Sequence, residues 1–198
     1  MPNKLHESSH GDVVPRLKDL LEAARATWGI PISKRMVAKE ARLNVKTVND
    51  LFNQKTTLYD LHTLWKLCWF FQCSMDDLLQ WVPPAGAAEA QPLSGGVRVG
   101  SITLPRKLPD ERRFIRNAIP GKLQGAKIAE VVAATGLAEN TVIAVLNLHD
   151  SPKRLARATL AAMCDYLSQR QGRAVAIGEL LVFEIPLQMQ EQRSRRDL

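Results

Sequence analysis

No stretch of this 198-residue chain stays apolar for the roughly 18 residues that a membrane-spanning helix requires. Its opening, MPNKLHESSHG, also lacks the apolar centre of a signal peptide, so we expect a soluble, cytoplasmic protein. Cysteine is scarce: Cys68, Cys73 and Cys164 are an odd number of thiols with no export signal, which argues against a disulfide framework. His6, His10, His62 and His149 supply no ligand cluster at short spacing, and no metal site is expected. A Gly-rich phosphate loop and a nucleophile elbow are both missing, and the His149-Asp150 pair stands alone. We therefore expect neither an enzyme nor a cofactor or small-molecule ligand.

What the chain does have is apolar content, 45% of residues, and a formal charge of +7 with a pI near 9.6. At this length two small cores are a better expectation than one large one. The basic balance favours an anionic partner such as nucleic acid without identifying it. Residues 1–83 carry 11 Lys and Arg against 9 Asp and Glu, whereas residues 84–198 carry 16 against 11, so both halves are basic.

Helical periodicity dominates. Val14 to Trp28 sets Leu17, Leu20, Leu21, Ala24 and Trp28 on one stripe, stopped by Gly29-Ile30-Pro31. Ser33 is placed to cap KRMVAKEA, and Asn44 to cap a helix whose Val48, Leu51 and Phe52 point inward. LYDLHTLWKLCWFF is a fourth helix, and Ser74 with Asp77 makes a capping box for a fifth, MDDLLQWV. After Pro83 the composition turns to Pro, Ala and Gly, which reads as a linker, although the alternation in VRVGSITL fits a short strand. Asp110 to Ile119 and Lys127 to Ala134 follow as helices, the first broken by Pro120-Gly121.

The chain then repeats itself. LNVKTVNDLF (43–52) recurs as LAENTVIAVL (137–146), pairing Val37 with Val131, Leu43 with Leu137, Thr47-Val48 with Thr141-Val142 and Leu51 with Val145. Two inserted loop residues bring TLWKLCWFF (63–71) onto TLAAMCDYL (159–167), and six more bring DDLL onto GELL (178–181). Matches in this order, offset only by loop length, indicate two copies of one helical unit.

Two helices joined by a short turn, the second opening with small or polar residues, suit a helix-turn-helix that offers side chains to the DNA major groove. The inward residues lock the second helix and leave Val45, Lys46, Asn49 and Asn53 outside. Asn pairs with adenine edges in a bidentate way, and Lys donates to guanine acceptors or phosphate. The run ISKRMVAKEARLNVKTVNDLFNQKTT followed by LHTLWKLCWFFQCSMDDLLQW resembles the Cro/lambda-repressor (XRE) family of helix-turn-helix proteins from about Val14 to Pro83. The second half resembles that family more distantly.

That resemblance implies a sequence-specific regulator of transcription, a repressor of prokaryotic, phage or mobile-element origin, that binds double-stranded DNA as a homodimer. It implies phosphate contact by Lys34, approach to bases or backbone by Asn44, Val45, Lys46, Thr47 and Asn49, and backbone contacts by Asn53, Lys55 and Thr56. The protein would then be nucleoid-associated when bound. Two positions depart from the pattern. Arg42 stands where the family has glycine, which the second copy keeps as Gly136, and the outer face of the fourth helix carries Trp65 and Trp69.

The expected architecture is all-α: an arm (1–12), an XRE-type domain (13–83), a linker (84–104), a second helix-turn-helix domain (105–187) and a basic tail (188–198), with one short strand pair allowed for. In the second unit Lys127, Asn140, Thr141, Lys153 and Arg154 are the candidates for DNA contact, joined by Lys122 and Arg157 as phosphate donors. Against this, its helix opens with a carboxylate, Glu139, and a scaffolding or dimerisation role is the rival. Trp65 and Trp69 are expected to pack against the linker, the second unit or a second chain, or else to widen the core. The alternative function is a protein-interaction module, an antitoxin or adaptor that keeps the helix-turn-helix as a scaffold.

Overall fold

The computed structural model describes residues 11–84, 96–100, 115–123, 125–147 and 153–183. The first half runs β1 (Asp12–Pro15), α1 (Leu17–Trp28), α2 (Lys34–Glu40), α3 (Val45–Phe52), β2 (Leu58–Asp60), α4 (Leu61–Phe71), α5 (Met75–Leu78) and β3 (Leu79–Val82). The second runs β4 (Ile115–Asn117), α6 (Ile119–Lys122), α7 (Ile128–Thr135), α8 (Glu139–Leu146), β5 (Arg154–Ala156), α9 (Arg157–Gln171), α10 (Ile177–Leu180) and β6 (Leu181–Phe183). Strands and helices therefore alternate in the same order twice.

The fold is mostly helical, but strands are more numerous than expected. β1 pairs with β3, β4 with β6 and β2 with β5, all antiparallel. Val14, read as the start of a helix, lies in β1, and the expected helix MDDLLQWV is one turn of helix followed by strand LQWV. Alternation explains the latter: Leu79 and Trp81 are buried while Gln80 and Val82 face outward, a period of two that a four-residue window hides inside a helical reading. The helix expected to end at Ile119 is replaced by β4 and the turn α6, which includes Pro120 and Gly121. Proline near the start of a helical turn costs little, because the N–H it lacks would have no partner there. Of VRVGSITL, residues 97–100 form no strand and the rest lies outside the described residues, as do most of the expected arm and the whole basic tail. Asp12, assigned to the arm, belongs to β1.

Buried side chains from Val13 to Leu181 form one contiguous cluster, so the two expected cores share an interior. Two polar links cross it. Asp165, almost fully buried on α9, accepts from the backbone N–H of Gly11 (2.7 Å) and from Trp81 Nε1 (3.0 Å). A side chain on residue 11 would run into Val82 O, Trp81 Nε1 and Asp165 itself, which is why glycine stands there. Tyr59, on β2, donates from its hydroxyl to Val13 O at 2.8 Å, and burial pushes that phenol well above its ordinary pKa. Arg157 adds a two-pronged pair with Asp12 and donates to Gln54 O at 3.1 Å.

The three cysteines are buried free thiols. Burial pushes the thiol pKa of Cys164 upward, and the neighbouring Cys68 together with burial does the same for Cys73, which leaves both as unreactive packing residues. No described helix is long and apolar enough to cross a membrane.

Removing the carboxylate of Asp165 strands two buried donors, each costing about 1–3 kcal/mol. We expect Asp165→Ala to lower the free energy of unfolding by about 2–4 kcal/mol in urea titration. A loss below about 0.5 kcal/mol would show that the bridge does not hold the halves together.

Candidate nucleic-acid interface

An isolated helix of eight residues is unstable in water, so α3 exists because of its caps and its buried side. Asn44 accepts from the N–H of Lys46 at 2.8 Å, and Val48 and Leu51 are buried against the rest of the first half. α2 is capped in the same way by Ser33, whose hydroxyl accepts from Met36 N at 3.1 Å. Between them the chain makes a full Schellman turn, with Leu43 N bonded to Ala38 O (2.8 Å) and Arg42 N to Lys39 O (3.2 Å). Arg42 occupies the left-handed position of that turn at φ 48°, where glycine would be unstrained. Lys66, reaching from α4, donates to Arg42 O at 3.1 Å and ties the turn down.

This geometry leaves Val45, Lys46, Asn53 and Lys55 exposed and Thr47, Asn49 and Thr56 partly so. The first turn of α3 contains no acidic residue, and its free N–H groups and helix dipole favour an anion at that end. The Asn44 side-chain oxygen is committed to its cap, which leaves its amide N–H groups as the donors. Lys34, at the start of α2, holds its ammonium 4.3 Å from the centre of the Phe52 ring. The residues expected from the sequence therefore gather on α3, on the start of α2 and on the loop after α3.

The corresponding helices of the second half differ in chemistry. α7 and α8 meet at 120° across a turn of three residues that opens with Gly136 in the left-handed conformation, φ 64°. α8 has no side-chain cap: Ala138 stands in place of Asn44. Exposed Ile128 (39%) and Ile143 (43%) occupy the positions of Lys34 and Asn49 in the repeat. Asn140 is exposed, Thr141 partly so, and Lys127 and Lys153 face solvent. The other basic candidates are engaged within the chain: Lys122 with Glu179 (3.0 Å), Arg154 with Asp60 (3.7 Å) and Arg157 with Asp12. Glu179 also takes Arg173 at 2.7 Å, and these two cations, with the N–H of Ala176, hold its carboxyl at about 2.

Trp65 is buried within this single chain and Trp69 partly so. His62, Trp65 and Trp69 stack in series along α4, which packs against β4. Part of the expected linker lies at the C-terminal end of α4, where Trp28 Nε1 donates to Gly100 O and Gly100 N to Phe71 O. Asp165, Tyr59 and the Asp12–Arg157 pair were missed by sequence reasoning. A carboxylate inside the otherwise apolar run LAAMCDYL was the available signal for Asp165. Among the described residues, no cluster of three or more His, Cys, Asp or Glu could hold a metal ion.

Residues 29–84 match the family model of the Cro/C1-type HTH DNA-binding domain, a span that begins just after α1 and ends after β3. No curated protein and no solved structure matches the chain.

Asn44→Ala should destabilise the fold by about 1 kcal/mol, whereas Asn44→Asp, which keeps the capping oxygen, should leave it within about 0.5 kcal/mol of wild type. Equal losses in thermal unfolding would contradict the capping role. Glu179 has its folded pKa lowered from 4.5 to about 2, so its contribution is complete above pH 4.5 and disappears as the pH falls towards 2. Acid titration of unfolding should therefore show a slope in that window that Glu179→Gln reduces. An unchanged slope would refute it.

Proposed function

Because residues 29–84 form a Cro/C1-type helix-turn-helix domain, we propose that this chain is a sequence-specific DNA-binding regulator of transcription in which α3 is the reading helix. The observation that carries the reading is the Asn44-capped N-terminus of α3, free of acidic groups, with Val45 and Lys46 exposed and Asn49 one turn on. Lys46 is suited to guanine acceptors or phosphate, Asn49 to an adenine edge, and Val45 to a thymine methyl group. Lys34, Asn53, Lys55 and Thr56 flank the helix as phosphate contacts that set its register in the groove, as Asn44 and Thr47 do at its start.

We read α7 and α8 as a second, divergent helix-turn-helix. The repeated order of elements and the glycine turn at 136 support that assignment. Repression by occupancy of a promoter, in a prokaryote, phage or mobile element, is the mode of action we favour from the resemblance. Use of the fold as a scaffold for a protein partner, as in an antitoxin or adaptor, is the competing reading, and the apolar exposed positions Ile128 and Ile143 are the observation that favours it for the second half.

The test is selection of duplexes from a random pool with the full chain, followed by gel shift at two salt concentrations. Removing a side chain that pairs with a base should cost about 1–3 kcal/mol. Lys46→Ala with Asn49→Ala should therefore reduce affinity for the selected duplex at least tenfold and flatten its dependence on salt. Unchanged salt-sensitive binding by that double variant would end the assignment of α3.

A further inference from the structure

β2 and β5 pair so that Tyr59 faces Leu155, Leu58 faces Ala156 and Asp60 faces Arg154. In the sequence repeat, where Thr63 matches Thr159, Leu155 is itself the counterpart of Tyr59, Arg154 of Leu58 and Ala156 of Asp60. An antiparallel pair whose central residue faces its own counterpart has a local two-fold axis through that residue pair, the arrangement of an isologous interface. The hydrogen bonds at either end obey the same axis. Leu61 N donates to Lys153 O at 3.0 Å, and their counterparts return the bond, Arg157 N to Thr57 O at 2.8 Å.

The relation extends beyond the strands. Gly178 N donates to Asp76 Oδ1 at 2.6 Å, and in the match of DDLL with GELL these two residues are again counterparts. α4 packs on β4 as α9 packs on β1, and α5 contacts β6 as α10 contacts β3. Each half thus presents to the other the same surface that it receives.

We propose that the chain is its own dimer: one copy occupies one DNA site as a monomer and reads a non-palindromic sequence through α3 alone. Two observations lead there. Among the described residues the symmetric contact is already made within one chain, where β5 covers β2, α9 packs on β1 and α10 on α5 and β3, so a second copy would have to displace these elements to repeat it. The symmetry of the backbone is not matched in chemistry, because the second helix pair places Ile128, Ile143 and Ala138 at the positions of Lys34, Asn49 and Asn44. Fold symmetry without chemical symmetry gives one reading helix per chain. A palindrome has to be met by two such helices, and one chain acting alone supplies one.

The inference rests on the DNA-binding reading of α3, and the experiment separates the two. The mass of the full wild-type chain, free and on its selected duplex, is measured by analytical ultracentrifugation, and the selected sequences are inspected for inverted symmetry. We expect a monomer in solution, a 1:1 complex and a single half-site without an inverted repeat. Asn49→Ala should weaken binding by at least about fivefold, and Asn140→Ala with Ile143→Ala by less than about twofold. A free dimer, a 2:1 complex on an inverted repeat, or equal losses from the two helices would overturn the inference while leaving DNA binding intact. Absence of any sequence preference would remove the functional reading as well.

Discussion

The pairing of β2 with β5 is the constraint on which the rest of the molecule depends. It is short, three residues a side, and could not persist in isolation. Burial makes it durable. Tyr59 is almost wholly enclosed and bonded to Val13 O, Leu155 lies opposite it in the same interior, and Arg157, just past the end of β5, is fastened to Asp12 and to the carbonyl of Gln54. Asp165 closes the second side through Gly11 and Trp81. β1, itself paired with β3, is thereby tied to α9, and the first helix-turn-helix is braced by the half of the chain that follows it.

That arrangement joins two helix pairs whose outer faces differ in chemistry. α3 keeps a polar, cap-stabilised outer face. α7 and α8 retain the inward residues Val131, Val142 and Val145 but expose isoleucine where the first pair exposes lysine and asparagine. Several basic groups of the second half are engaged in internal ion pairs with Glu179, Asp60 and Asp12. The surplus of positive charge in the later half therefore overstates how much of it is available to phosphate.

The helix pairs were legible in the sequence because their signals are local. Ser33, Asn44 and the Ser74–Asp77 box cap the helices they were expected to cap, and Arg42 takes up the left-handed backbone that its place in the turn demands. The strands were not legible for the opposite reason. β2 and β5 are three residues each and make sense only when paired with each other across the chain, a relation that no short window contains. LQWV reads as the end of an amphipathic helix until β1 is beside it. The internal repeat was visible, yet the symmetry of its assembly was not, since that depends on which residue faces its own counterpart. The roles of the site residues lie one step further, in contacts with a partner.

The measurement that bears most directly on the central claim is photocrosslinking to a selected duplex from a reactive amino acid placed either at position 46 or at position 140. If α3 reads the major groove, position 46 crosslinks to bases within one short segment of the duplex, and position 140 gives no base-specific product. Base-specific crosslinks from position 140 alone, or from neither position, would contradict it.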